Sequence, residues 1–259
     1  MEAIYSNVEI DFKLLNGIVL VKASVNSEEG YLIFDTGAMK TGLHKKYFSD
    51  MKGKELEIAK FSGEMANDTA MEVTIPDLSF SGVTLTDQNA MLMDLSYVED
   101  SLKGFDPDLR LLGTMGIDII RNFSASIDYG KNKITLNPSW GFDKSTCVPL
   151  QMEILPVVEI EIDSEQYRFV LDTGANTCLL GTALQGKVPV QPVEDAPNVF
   201  KISSVSLQNR PYKDILAVFT DISAIQSKVS VDGVIGYHIL SEQRSYLDFS
   251  NQKLYLEKE

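Results

Sequence analysis

The sequence predicts a mainly β protein made of two similar lobes with a cleft between them. Three observations carry that expectation. One segment of 24 residues recurs later in the chain without a gap. A shorter segment also occurs twice, each time upstream of the longer one. Between these landmarks, short apolar and β-branched runs alternate with turn-forming residues, and helical windows are few.

The long repeat runs from Gly113 to Leu136 and from Gly233 to Leu256, at a constant offset of 120. Gly113, Gly116, Ile119, Asp128, Lys133 and Leu136 meet identical residues at Gly233, Gly236, Ile239, Asp248, Lys253 and Leu256. Several of the exchanges between the copies keep apolar character, as in Met115 for Ile235 and Ile127 for Leu247. The short repeat pairs Leu32-Ile33-Phe34-Asp35-Thr36-Gly37-Ala38 with Phe169-Val170-Leu171-Asp172-Thr173-Gly174-Ala175, at an offset of 137. The first half is therefore longer between its landmarks by 17 residues, the difference of the two offsets. Turn formers cluster at Asn137-Pro138-Ser139-Trp140-Gly141. The expected division is an N-terminal lobe, 1–140, and a C-terminal lobe, 141–259. Trp140, the single tryptophan, is expected to anchor one lobe on the other.

Each half reads the same way along the chain. Ile18 to Val25 and Tyr31 to Phe34 are strand-like, broken at Asn26-Ser27-Glu28-Glu29-Gly30. Val157 to Ile162 and Tyr167 to Leu171 repeat this around Asp163-Ser164-Glu165. Gly116 to Phe123 and Gly236 to Gln243 read as short helices. A strand, a turn such as Tyr129-Gly130-Lys131-Asn132 and a further strand follow. Asp128 and Asp248 stand beside those turns and are read as structural.

The Asp-Thr-Gly triplets are the candidate chemistry. Each ends a run of three apolar residues, so a buried strand delivers a carboxylate into a tight loop. A carboxylate there is costly unless it is hydrogen-bonded or shares a proton. A lone triplet could be a turn former. Two in equivalent places of a repeat, with matching flanks, point to a pair. A pseudo-two-fold axis would bring Asp35 and Asp172 together, and two close carboxyl groups share one proton. One can then act as base on a water while the other polarises a carbonyl. Thr36 and Thr173 suit hydrogen bonding across the axis. Gly37 and Gly174 allow close approach that a Cβ would forbid.

This pattern, apolar-apolar-Asp-Thr-Gly-Ala followed later by apolar-Gly before a short helix, resembles the retropepsin-type aspartic peptidases. The resemblance covers roughly residues 11–136 and 153–256. It implies duplicated retropepsin-like β-barrels fused in one chain, with Asp35 and Asp172 catalytic. Thr36, Gly37, Ala38, Thr173, Gly174 and Ala175 would support them. Met115-Gly116 and Ile235-Gly236 stand at the family's second signature, whose role is packing against the catalytic loop. The implied activity is peptide-bond hydrolysis on peptide or unfolded protein substrate, with no metal, no cofactor and a monomer sufficient for a complete site. Phe61, Ser62 and Gly63 are the best candidates for the family's flap, although its glycine-rich pattern is not evident. Nothing comparable is read in the second lobe between Val188 and Val205. Pepsin-like relatives usually place Ser or Thr after Asp-Thr-Gly. Ala38 and Ala175 lack that hydroxyl donor to the carboxylate, so the pair is expected to titrate at a higher pH than pepsin's.

Other readings are weaker. Apolar-Asp-x-Gly also occurs in sugar kinases and actin-like ATPases, but the alternating strand and helix pattern and a Walker-type loop are missing. A retropepsin-like lobe pair that binds peptides without cutting them is the main alternative, because fold alone does not establish activity. His44 and His238 sit in no nucleophile motif and are read as surface or helix-packing residues. Two cysteines and two histidines support a metal site poorly, and one disulfide is possible without being demanded. A formal charge of -14 disfavours a nucleic-acid partner. No apolar run reaches membrane-spanning length. Met1 to Lys13 lacks a basic start before an apolar core, so no signal peptide is expected, consistent with a cytoplasmic or a mature exported form.

Overall fold

A computed structural model describes residues 5–56, 70–139 and 141–257. Phe61, Ser62, Gly63 and Trp140 therefore lie outside the described residues.

The first half opens with three antiparallel strands, Val8–Leu15, Ile18–Val25 and Glu28–Phe34. Asn16-Gly17 and Asn26-Ser27 make the two turns, all four residues with positive φ. Such two-residue turns match the twist of the strands they join. The second break is thus two residues long, shorter than its polar composition suggests, because Glu28 to Gly30 already pair in the sheet. The second half repeats the hairpin in Pro156–Ile162 and Glu165–Leu171, turned by Asp163-Ser164 with φ of 54° and 66°.

Each half then folds a strand back beside its triplet. Leu111–Met115 lies between Glu28–Phe34, to which it is parallel, and Gly42–His44, to which it is antiparallel. Gly233–Ile235 lies likewise between Glu165–Leu171 and Cys178–Gly181. A long hairpin follows on the outer side, Ala70–Phe80 with Val83–Met93 in the first half and Val199–Leu207 with Arg210–Thr220 in the second. Pairing of Ser24 with Ser79, and of Glu161 with Ser206, helps close each half into a six-stranded barrel. The protein is mainly β with two closed barrels. Helices are short: Ile117–Ile120 and Tyr237–Leu240 are single turns where the sequence suggested about two.

The halves join through a shared sheet. Its order is Cys147–Pro149, Lys253–Glu257, Arg244–Asp248, Ala125–Asp128, Lys133–Leu136 and Val8–Leu15. At its centre Ser126 faces Tyr246, Ala125 faces Leu247 and Ile127 faces Ser245. Those pairs are what the repeat offset of 120 demands of a local two-fold axis: the residue at the centre pairs with its own copy. The turn aspartates are also equivalent. Asp128 Oδ1 accepts from Lys131 N at 2.9 Å, and Asp248 Oδ1 from Asn251 N at 3.0 Å.

One reading of the sequence is revised, and two that it left open are decided. In the second half Val190–Pro192 pairs with the start of Val199–Leu207, as Gly53–Leu56 pairs with the start of Ala70–Phe80. An edge hairpin thus exists where none was read, because Asp195 and Asn198, at φ of 63° and 68°, supply turn conformations usually signalled by glycine. His44 is fully buried, with Nε2 3.7 Å from Glu99 Oε2 on the helix Ser96–Lys103, so of its two readings helix packing holds and the surface one does not. Cys147 and Cys178 are both free thiols.

Candidate active site

Asp35 and Asp172 occupy the first positions after Phe34 and Leu171, the last residues of their strands. Asp35 N–H still bonds Met115 O at 3.0 Å, and Asp172 N–H bonds Ile235 O at 2.9 Å. Each carboxyl group is therefore tethered to a sheet at one residue's remove. The chain then turns sharply, and the loop amides face back onto the carboxylate. Gly37 N–H and Ala38 N–H each donate to Asp35 Oδ1 at 2.9 Å. Gly174 N–H donates to Asp172 Oδ1 at 2.7 Å.

The threonines tie the two loops to one another. Thr36 Oγ1 donates to Leu171 O at 2.7 Å and accepts from Thr173 N–H at 3.1 Å. Thr173 Oγ1 donates to Phe34 O at 2.6 Å and accepts from Thr36 N–H at 3.1 Å. Both side chains are fully buried. Four hydrogen bonds across the axis leave little freedom to the loops that carry the carboxylates, since breaking any one strands a buried polar group.

The glycines set the separation. A Cβ on Gly37 would stand 2.2 Å from Asp172 Cγ, and one on Gly174 would stand 2.5 Å from Asp35 Cγ. Each loop thus packs its backbone against the opposite carboxylate. The two carboxyl groups are therefore neighbours, and each acts on the ionisation of the other. Both aspartates keep partial contact with solvent. Enclosure by protein pushes Asp35 well above the ordinary carboxyl range, and the neighbouring Asp172 charge adds to it. Burial raises Asp172 as well, opposed by Asp35 and by hydrogen bonds from the loop amides. The pair is arranged to hold one proton between two carboxyl groups over an extended pH range.

Beneath the loops, Met115-Gly116 and Ile235-Gly236 brace them. Ile117 N–H donates to Ala38 O at 2.8 Å and Tyr237 N–H to Ala175 O at 2.9 Å. A Cβ on Gly116 would approach Lys40 C to 2.6 Å, and one on Gly236 would approach Ala175 O to 2.1 Å. The bracing on the first side includes two residues that sequence reasoning missed. Thr41 Oγ1 accepts from Gly116 N–H at 3.1 Å and donates to Asp118 Oδ1 at 2.8 Å. The signal was weak because the repeat offsets align Thr41 with Cys178 and Asp118 with His238, so neither recurs.

The fold and this paired-carboxylate site define the acid-protease-type architecture. No protein-family model matches the chain, and no curated protein matches it. Among solved structures it is similar to an aspartic proteinase from Irpex lacteus, with a TM-score of 0.60. The identity is 13%, and the match covers 96% of each chain. A likeness at that identity is one of fold.

Proposed function

We propose that the chain is a single-chain, retropepsin-like aspartic endopeptidase whose lobes, 1–140 and 141–259, each contribute one catalytic carboxylate. The observation that carries this reading is the pair Asp35 and Asp172, each packed against the glycine of the opposite loop, on loops locked together by Thr36 and Thr173. With one proton on the pair, the ionised carboxylate takes a proton from a water lying between them. That water attacks the scissile carbonyl carbon while the protonated partner donates to the carbonyl oxygen. The resulting tetrahedral diol collapses as a proton passes to the leaving nitrogen and the C–N bond breaks. The acyl group leaves as a carboxylic acid, and the dyad regains its single proton. The substrate is an extended peptide or unfolded protein, and no metal or cofactor takes part.

The test is digestion of an unfolded protein such as casein, followed by mass spectrometry of the fragments. Asp35→Asn and Asp172→Asn should each lower kcat by roughly 10³-fold or more, comparable to losing a central catalytic group. Chelators should have no effect. Folded Asn variants that cut at the wild-type rate would overturn the assignment. A wild-type chain that binds such peptides without cutting them would replace it by a peptide-binding function. Because activity requires the singly protonated pair, a bell-shaped pH profile on the acidic side of neutrality is expected.

A further inference from the structure

The two halves turn the same corner after their outer hairpins but hold it differently. Asp94-Leu95-Ser96 leads from the strand Val83–Met93 into the helix Ser96–Lys103. Asp221-Ile222-Ser223 leads likewise from Arg210–Thr220 into the helical turn Ser223–Gln226. Asp94 Oδ1 accepts from Ser96 N–H at 2.9 Å, and Asp221 Oδ1 from Ser223 N–H at 2.8 Å. Leu95 and Ile222 share backbone angles, φ of -111° and -105° with ψ of 18° and 16°. In the first half a histidine clasps this corner. His44 Nδ1 accepts from Leu95 N–H at 3.1 Å, and the side chain is fully buried. Its other ring nitrogen, Nε2, has no hydrogen-bond partner among the described residues and stands 3.7 Å from Glu99 Oε2.

The second half closes its corner without these groups. The offset of 137 takes His44 to Gly181, Lys46 to Ala183 and Tyr47 to Leu184. The corners themselves are 127 apart, Asp94 to Asp221, which takes Glu99 to Gln226. A Cβ on Gly181 would stand 2.9 Å from Ile222 Cδ1, so apolar packing does there what the histidine does in the first half. A neutral imidazole that accepts at Nδ1 carries its hydrogen on Nε2. An added proton must therefore go to Nδ1, where it sets one N–H against another and breaks the Leu95 bond. We propose that His44 is an acid-release clasp: proton uptake at Nδ1 frees Leu95 and the helix Ser96–Lys103 from the strand Gly42–His44. Leu95 and Leu102 pack in one cluster with Leu20, Ile33, Leu109 and Leu111, apart from the main core that holds Leu32 and Phe34. Ile33 stands two residues before Asp35, so release uncovers one face of the strand that delivers Asp35. Resting on the peptidase reading above, the consequence is an acid shut-off of the site that is separate from the dyad's own titration.

Several charged groups surround the clasp. Glu99 and Lys103 face it from the helix, Asp94 from the corner with Lys45 beside it, and Lys46 and Tyr47 from the chain just after His44. The Arg110 guanidinium lies over the Tyr47 ring. Although burial pushes Glu99 up, hydrogen bonds from Lys46, Tyr47 and Leu111 N–H pull it down to about 2. Hydrogen bonds from Ser96 lower Asp94, the Glu99 bond raises Lys46, and burial raises Tyr47. These four therefore keep their charge states while His44 titrates. Burial lowers His44 itself, against the opposing pull of Glu99 and Asp94. The folded chain thus takes up this proton at a lower pH than the unfolded chain does. The clasp's contribution to stability is complete above the unfolded histidine range, about pH 6.5, and falls as pH drops from there to the folded value.

The test is NMR on the full chain carrying Asp35→Asn, which keeps autolysis out of the measurement. The hydrogen-exchange protection factor of the Leu95 amide should fall by about tenfold or more between about pH 7 and pH 4, in step with the His44 ring shift, as a local opening requires. Fluorescence of the dye ANS should rise over the same range as Leu20, Ile33 and Leu111 are uncovered. In the second half Gly181 N–H, bonded to Asp232 O at 2.8 Å, should keep its protection. His44→Asn places an amide oxygen at the Nδ1 position that takes up no proton, so Leu95 should stay protected at every pH. Should that variant fold poorly, the titration of the intact histidine decides the matter. A His44 ring that titrates while Leu95 protection holds, one that stays neutral down to about pH 4, or a loss of protection shared equally by both halves would overturn the proposal. Digestion assays keep the two readings apart: a wild-type chain inactive at every pH, with Leu95 still released by acid, would sink the peptidase reading and leave the clasp standing.

Discussion

The loop carrying Asp35 and the loop carrying Asp172 have the same backbone path but different supports. At the centre they are copies: reciprocal threonine bonds, a glycine against the opposite carboxylate, and an amide from the brace to the alanine carbonyl. One layer out they diverge. Behind Asp35, Thr41 links Gly116 N–H to Asp118, whose carboxylate also accepts Thr41 N–H and Ile119 N–H. Behind Asp172, the buried Cys178 thiol stands where Thr41 would be, and His238 where Asp118 would be. The difference teaches that the two-fold relation is strict where both copies act on one shared centre. Further out, each half meets only its own neighbours and is free to drift.

The largest break in that comparison comes from the bracing glycines. Gly236→Ala would push a methyl to 2.1 Å from Ala175 O, and Gly116→Ala one to 2.6 Å from Lys40 C. Backbone cannot yield cheaply to either. Both should cost about 3 kcal/mol or more, with the Gly236 variant the worse, as measured by urea unfolding. Equal costs would mean that the two braces are equally tight after relaxation.

A smaller effect separates the divergent layer. Thr41→Val leaves Gly116 N–H without its acceptor and takes one of the donors from Asp118, which should cost about 2 kcal/mol. Cys178→Ala mainly removes a buried sulfur and should cost about 1 kcal/mol. If the order reversed, the hydrogen-bonded support would not be the stronger one.

The smallest effect sharpens the comparison through pH. Asp35 and Asp172 are raised in the folded state, so they bind protons more tightly there than in the unfolded chain. Their stabilisation is complete below the unfolded carboxyl range and is lost as pH rises through the folded values. Glu99 behaves oppositely. Although burial pushes it up, hydrogen bonds from Lys46, Tyr47 and Leu111 N–H pull it down to about 2. Its contribution is present above the unfolded range and is lost as pH falls towards 2. Stability should therefore peak at mildly acidic pH. Asp35→Asn should flatten the decline on the alkaline side and leave the acid side unchanged, in thermal melts across pH.

Much of this was legible in the residues. The pairing of the triplets follows from their equivalent positions, whereas the offset of 120 left open which residue pairs with its copy, and the structure puts Ser126 opposite Tyr246. The edge hairpin Val190–Pro192 with Val199–Leu207 escaped notice because its turn uses Asp195 and Asn198 instead of glycine. Between surface and helix packing His44 could not be decided, because its partner Glu99 lies 55 residues away in sequence and leaves no local pattern.

The sequence by itself determined the duplication, the strand-ending position of both aspartates and the glycines that let the loops meet. These depend on local chemistry, repeated and therefore recognisable. Only the tertiary structure decided which groups stand behind each carboxylate. Thr41 and Asp118, and Tyr129 and Tyr237, are each brought together from distant segments. The local electric field and burial at a dyad are sums over such neighbours, and no pattern along the chain encodes that sum.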